Sequence, residues 1–67
     1  MKISLAAARV NAGLTQAEAG KLIGISDDRI SNYETGKSKL PLSVFKKMEK
    51  VYGVTYEDIN FLTNNFT

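Results

Sequence analysis

Apolar residues recur along the chain at intervals of three and four, which is the spacing of amphipathic α-helices. Capping residues precede most of these stretches and glycines follow them, as expected for helix ends. The pattern predicts helices over residues 4–12, 15–23, 26–35 and 41–52, and a fifth helix that Thr55 caps. We therefore expect one all-α domain over residues 1–67, in which residues 63–67 form a frayed tail.

The densest set of signals lies in residues 15–36. Thr15 and Glu18 have the spacing of a capping box, and Ser26 can cap the next helix. Gly24 stands between the two helices, where the chain needs left-handed backbone. Two short helices joined by a tight turn are the layout of a DNA-binding helix-turn-helix. The residues expected to pack between them are Ala19, Gly20, Ile23, Ile25, Ile30 and Tyr33.

Several short motifs occur in order along the chain. They are Gly13-Leu14-Thr15-Gln16, Gly24-Ile25-Ser26, Ile30-Ser31 through Glu34, Gly36-Lys37 and Gly53-Val54-Thr55. In this arrangement the chain resembles the Cro/C1-type (XRE-like) helix-turn-helix family of phage and bacterial repressors, over about residues 5–62. The resemblance implies a compact five-helix, lambda-repressor-like domain with the helix-turn-helix at helices two and three. It also implies a regulator of transcription that binds double-stranded DNA, a repressor of phage or bacterial mobile-element type.

The third helix is expected to read the major groove, where each base pair presents a distinct set of donors and acceptors. The resemblance implies base contacts from residues near its start, namely Asp27, Asp28 and Asn32, with Ser31 beside them. Asn32 can form two hydrogen bonds with adenine. The aspartates depart from the family pattern. They either accept from the amino group of cytosine, only stabilise the helix start, or mark a protein whose DNA binding is weakened.

Phosphate contacts are expected on both sides of the recognition helix. Gln16 matches the position at which the family binds phosphate through a side-chain amide. Lys37, Ser38 and Lys39 follow the third helix and are expected to bind the neighbouring backbone, and Arg29 can reach a phosphate. The alternatives are that Gln16 only starts a helix and that the two lysines are solvated loop charges.

An arginine interrupts the apolar face of the first helix, which otherwise carries Leu5, Ala8 and Ala12. Family members often have an arginine here that pairs with a glutamate at the end of the recognition helix. The matching positions are Arg9 and Glu34, so the resemblance implies an ion pair between them. The alternative is an arginine that lies along the apolar surface with its guanidinium in water.

The amino-acid composition limits which catalytic and metal sites the chain can form. The 67 residues include neither cysteine nor histidine, so disulfides, thiolate metal sites and the usual general base are absent. Neighbouring carboxylates on one helix diverge, and no glycine-rich phosphate loop occurs. We therefore expect no enzyme, metal, cofactor or small-molecule substrate. Apolar runs are too short to span a bilayer and no signal peptide is evident, which favours a cytoplasmic protein without membrane contact.

Charge alone says little, because nine basic and seven acidic residues leave a net charge of +2. Five lysines, however, cluster just after the recognition helix, which favours a surface that faces phosphate. They are Lys37, Lys39, Lys46, Lys47 and Lys50.

Partners follow from the resemblance and from size. One small domain makes few DNA contacts, and the family usually reads a palindromic operator with two subunits, with half-sites about 34 Å apart. We expect a homodimer at least on DNA, with the fifth helix and the tail as the contact. The alternative is a protein-interaction module of the same fold, antirepressor-like or antitoxin-like, with weak or no DNA binding.

Overall fold

The computed structural model describes residues 2–61, which form four α-helices and one turn of 3-10 helix. The α-helices are α1 (Leu5–Asn11), α2 (Gln16–Ile23), α3 (Asp27–Thr35) and α4 (Leu42–Tyr52). The 3-10 turn covers Tyr56–Asp58. Each α-helix begins and ends within one residue of the limits predicted from the sequence. None of the helices in this part of the chain is long and apolar enough to cross a membrane.

Side-chain N-caps begin the first three helices, including those predicted at Thr15 and Ser26. Ser4 Oγ accepts a hydrogen bond from the backbone N–H of Ala7 at 3.0 Å. At the start of α2 the capping box is complete, because Thr15 Oγ1 accepts from the N–H of Glu18 and Glu18 Oε1 accepts from the N–H of Thr15. Ser26 caps α3, so the first turn of that helix begins at Asp27. These caps satisfy backbone donors that a helix end otherwise leaves unpaired.

The turn between α2 and α3 depends on two glycines. Gly24 has φ of 94°, a left-handed conformation that side chains with a Cβ rarely adopt. The backbone N–H groups of Gly24 and Ile25 both donate to the carbonyl oxygen of Gly20, at 2.7 and 2.9 Å. A Cβ at Gly20 would lie 2.5 Å from the carbonyl oxygen of Ile25. Only glycine at this position lets the backbone before α3 approach α2 so closely.

The core lies where α2 packs against α3 and α4, and where α1 packs against α4. Its buried side chains are Leu5, Ala8, Ala19, Ile23, Ile30, Tyr33, Phe45, Met48, Tyr52 and Ile59. On α3 only Ile30 and Tyr33 are buried. Apart from Glu34, whose side chain is only 5% exposed, the rest of that helix stays accessible on the surface of the domain.

The fifth helix expected at Thr55 is a single 3-10 turn in the described residues. The backbone becomes extended at Ile59, with φ of −104° and ψ of 130°. There it forms an isolated parallel bridge with Ile3, whose N–H donates to the Asp58 carbonyl oxygen at 2.9 Å and whose carbonyl oxygen accepts from the Asn60 N–H at 2.7 Å. This pairing with the N-terminal segment replaces further helical hydrogen bonds. Leu62 and the predicted tail over residues 63–67 lie outside the described residues.

Helical spacing also predicts inward positions for Leu42 on the fourth helix, Tyr56 on the fifth and Ala12 on the first, but all three side chains are exposed. Leu42 is 64% and Tyr56 61% exposed, and Ala12 is also exposed. Leu42 begins α4 and Ala12 follows α1, so both stand beyond the helix turns that contact the core. Leu42 and Tyr56 instead border an apolar depression of about 140 Å³, which Leu40, Phe45 and Phe61 also line.

Tyr52 carries a buried hydroxyl near the Arg9 and Glu34 side chains, and within residues 2–61 its oxygen has no hydrogen-bond partner. Burial raises the pKa of Tyr52 to about 12, and the negative charge of Glu34 acts in the same direction. An unfolded tyrosine ionises near pH 10, so above that pH the unfolded state loses its proton first. The contribution of neutral Tyr52 to stability is complete below about pH 10 and is lost as the pH rises towards 12.

Replacing Tyr52 with phenylalanine is expected to leave the free energy of unfolding unchanged or slightly higher at pH 7, because it removes a buried donor that has no partner. The variant should also lose less stability than the wild type between about pH 10 and 12. Urea unfolding at several pH values measures both effects. Tyr56→Phe, at an exposed tyrosine, is the control and should follow the wild type. A loss above about 1 kcal/mol in Tyr52→Phe would mean that the hydroxyl is paired after all.

Candidate nucleic-acid interface

The outer face of α3 carries all four residues predicted to read bases. Asp27 and Asp28 are exposed, and Ser31 and Asn32 are partly exposed, while Ile30 and Tyr33 hold the opposite side in the core. Residues four apart lie above one another on a helix, so 27 with 31 and 28 with 32 form two adjacent rows. The structure thus places the four polar side chains on one accessible surface.

A shallow depression lies between α3 and the loop that follows it. Its lining residues are Arg29, Asn32, Tyr33, Ser38, Lys39 and Pro41. The backbone N–H of Ser38 donates to the carbonyl oxygen of Asn32 at 3.3 Å, which ties the loop to the helix. Two cationic side chains and a hydroxyl therefore stand next to Asn32. Cationic groups and hydroxyl donors are suited to bind a phosphate oxygen.

The lysine cluster of the sequence divides between two surfaces. Lys39 lines the depression beside α3, and Lys37 is exposed in the same loop. Lys46, Lys47 and Lys50 line a different groove on α4, together with Glu49. Only the first two lysines therefore lie next to the recognition helix.

Arg9 and Glu34 form a bidentate ion pair that is largely shielded from solvent. Arg9 Nε lies 2.7 Å from Glu34 Oε2, and Arg9 Nη2 donates to Glu34 Oε1 at 3.3 Å. The side chains are 13% and 5% exposed, respectively. Arg9 Nη1 also donates to the carbonyl oxygen of Leu14 at 2.7 Å. The hydrogen bonds that Arg9 donates to Glu34 raise the pKa of the Arg9 guanidinium, so its charge is held throughout the ordinary pH range.

Gln16 is the first residue of α2 and is partly buried. Its side-chain nitrogen Nε2 donates to Glu34 Oε1 at 3.0 Å. Sequence reasoning missed this contact, because the two residues are 18 positions apart and no local spacing rule relates the start of one helix to the end of the next. The Ser38–Asn32 hydrogen bond was missed for the same reason, since it depends on how the loop folds back onto α3.

A protein-family model for the helix-turn-helix matches residues 5–59 of the chain. No curated protein and no solved structure matched. The matched segment runs from the first residue of α1 to the buried Ile59 and contains every residue predicted to contact DNA. This family is one of regulators that bind DNA. The chain therefore belongs to the Cro/C1-type helix-turn-helix family of DNA-binding regulators.

Proposed function

We propose that this protein is a sequence-specific repressor that reads the major groove of double-stranded DNA with α3, as a regulator of phage or bacterial mobile-element type. One observation carries the proposal: the accessible polar face of α3 adjoins a depression that two cations line. The major groove is wide enough for a helix, and the phosphates beside it need donors. The outer face of α3 supplies the helix, and the adjoining depression supplies the donors.

The base contacts come from the two rows on the outer face of α3. Asn32 is suited to adenine, since its amide can both donate and accept in one plane. Asp27 and Asp28 carry acceptors only, so a base contact from either requires a donor such as the amino group of cytosine. If they serve only the helix start, the operator will show no cytosine preference opposite them.

The phosphate contacts come from three places around α3. Arg29, Ser38 and Lys39 lie together in the depression, and Lys37 extends the same loop. Gln16 contributes an amide N–H at the start of α2, where the positive end of the helix dipole also favours an anion. The charges of Arg29, Lys37 and Lys39 offset those of the two carboxylates at the start of α3.

Selection of bound sites from a random duplex library tests this function. We expect an enriched palindrome with half-sites about one helical turn apart, and an affinity that falls linearly with salt concentration on a logarithmic plot. A selection without any enriched site, together with an affinity that does not depend on salt, would overturn the proposal. In that case the exposed carboxylates of Asp27 and Asp28 would favour the protein-interaction module.

The homodimer is part of the same proposal, and we assign its contact to the apolar depression around Leu42 and Tyr56. These are two of the four large apolar residues that are exposed in the described chain. Pro41, which lines the depression beside α3, lies between Leu40 and Leu42, which line this one. A second copy docked here would therefore lie next to the DNA-binding surface.

A homodimer of this kind has an isologous interface, in which the same patch of both copies meets across a two-fold axis. On α4, Glu49 Oε2 accepts from the backbone N–H of Tyr56, so this side of the helix faces the 3-10 turn. Leu42 lies seven residues before Glu49 and therefore on the same side of α4. A two-fold contact at the depression would bring Leu42 and Tyr56 of one copy against the same residues of the other.

Replacing Leu42 with lysine is expected to weaken self-association, because it places a charge at the centre of the proposed contact. Sedimentation of the free protein and of its DNA complex measures the change. Leu22→Lys is the matched control, since Leu22 is 63% exposed on α2 and lies outside the depression. A dimer that persists in Leu42→Lys would place the contact elsewhere, and a wild-type monomer on DNA would contradict the homodimer.

A further inference from the structure

The Glu34 carboxylate binds two side chains at once, and we propose that it is a positioning residue for DNA binding. In this role Glu34 fixes the orientation of the Gln16 carboxamide so that an N–H, and not the carbonyl oxygen, meets a DNA phosphate. The inference rests on the proposed contact between Gln16 and phosphate. It gives Glu34 a function in addition to its ion pair with Arg9.

The orientation follows from donor and acceptor chemistry. An ionised carboxylate only accepts hydrogen bonds, so Gln16 must turn its NH₂ group towards Glu34. Gln16 Nε2 lies 3.0 Å from Glu34 Oε1, and this contact uses one of the two N–H bonds. The second N–H remains for another acceptor. The carbonyl oxygen, which would repel a phosphate, stays on the far side of the amide.

Arg9 offsets the negative charge of the Glu34 carboxylate beside the proposed phosphate contact of Gln16. A free carboxylate close to the Gln16 contact would repel the DNA backbone. The Arg9 guanidinium offsets that charge through two hydrogen bonds to Glu34 and is itself held by the Leu14 carbonyl oxygen. Since Leu14 lies just before α2 and Glu34 lies in the last turn of α3, the Gln16 amide is held relative to both helices before DNA arrives.

Replacing Glu34 with glutamine should invert the Gln16 amide. The new side chain can keep its oxygen for Arg9 Nε, and an NH₂ group then replaces Oε1, so the weaker bond from Arg9 Nη2 is lost. That NH₂ group faces Gln16, which then presents its own carbonyl oxygen there. The oxygen takes the place of the nitrogen that faced the phosphate. We expect the dissociation constant for DNA to rise about three- to tenfold, the range for losing one pre-ordered side chain.

The sign of this effect separates positioning from simple electrostatics. Removing a negative charge near DNA strengthens binding when charge alone matters. The measurement is therefore a cycle of four proteins: wild type, Glu34→Gln, Gln16→Met and the double variant. Positioning predicts that Glu34→Gln weakens binding when Gln16 is present, and leaves it unchanged or tighter when position 16 is methionine. Equal effects in both backgrounds would overturn it.

Glu18→Gln is the control for charge. Glu18 lies in the first turn of α2, close to Gln16 in the chain, and glutamine can take the same place in a capping box. This variant removes the same charge without touching the Gln16 amide. We expect its affinity for DNA to equal or exceed that of the wild type. All affinities are measured on a duplex bearing the selected site, at a temperature where each variant is fully folded.

A measurement on the free wild-type protein covers the case in which Glu34→Gln does not fold. Gln16 is the only glutamine beside five asparagines in the sequence, so its side-chain NH₂ signals are the pair that disappears from the nitrogen-correlated NMR spectrum of Gln16→Met. Positioning predicts that these signals report an amide about as rigid as the backbone, and an amide as mobile as a surface side chain would overturn it. A wild type that binds no duplex would overturn both this inference and the proposed function. Equal effects in the cycle would overturn this inference alone.

Discussion

Replacing Arg9 with methionine is expected to lower the free energy of unfolding by about 3 kcal/mol, the lower end of the range for breaking a buried ion pair. The Glu34 side chain is only 5% exposed, so the variant leaves a carboxylate without its guanidinium in a place that water hardly reaches. Methionine preserves much of the apolar packing of the arginine stem. The loss is therefore mainly electrostatic, and the Leu14 carbonyl oxygen loses a donor as well.

Thermal unfolding followed by circular dichroism measures this change. For a domain of this size, about 3 kcal/mol corresponds to a fall in Tm of roughly 10–25 °C. Lys21→Met is the matched control, because Lys21 is an exposed cation on α2 and should change stability little. The double variant Arg9→Met/Glu34→Leu should recover part of the loss, since it removes both charges. A loss below about 1 kcal/mol in Arg9→Met would mean that the pair behaves as if it were on the surface.

The helix limits were predictable because their signals are local. Ser4, Thr15 and Ser26 each cap a helix with a hydrogen bond to a backbone N–H three residues later, a spacing that can be read directly from the chain. Gly24 similarly marks a backbone conformation that other residues avoid. Such features depend on fewer than five neighbouring residues, so the rest of the fold does not change the helix limits that they predict.

Features that depend on distant parts of the chain were not predictable in the same way. Thr55 and Asp58 have the spacing of a helix start, and a helix does begin there, but it lasts only for a 3-10 turn. Ile3 then pairs with Ile59 and draws the backbone into an extended conformation. Helical periodicity also cannot tell which turn of a helix extends past the core, which is why Leu42 was expected to be buried.

The candidate site shows the same division. The polar rows on α3 follow from the spacing of the helix, and the pairing of Arg9 with Glu34 was implied by the family resemblance. The depression that joins Arg29 to Lys39 depends on how the loop returns towards α3. The link from Gln16 to Glu34 depends on the packing of α2 against α3. A reader of the sequence sees donors and acceptors, but their partners become visible only in three dimensions.

Replacing Asn32 with alanine is expected to abolish base preference at one position of each operator half-site, at a cost of about 1–3 kcal/mol for the preferred base. Asn32 lies on the outer face of α3, and its amide can form two hydrogen bonds with adenine. The substitution removes only the side chain, so the backbone hydrogen bond from Ser38 to residue 32 is kept. Binding to a panel of duplexes, each with one altered base pair, measures the change.

Lys39→Ala is the matched comparison for Asn32→Ala, because Lys39 and Asn32 line the same depression. A lysine that binds phosphate contributes equally to every sequence, so its loss should weaken all duplexes alike and reduce the salt slope by about one. Since both side chains occupy one surface, a difference between the two variants reflects base contact against phosphate contact and not a different distance from DNA. Uniform weakening by Asn32→Ala would assign Asn32 to the DNA backbone, and an altered base preference in Lys39→Ala would assign Lys39 to a base edge.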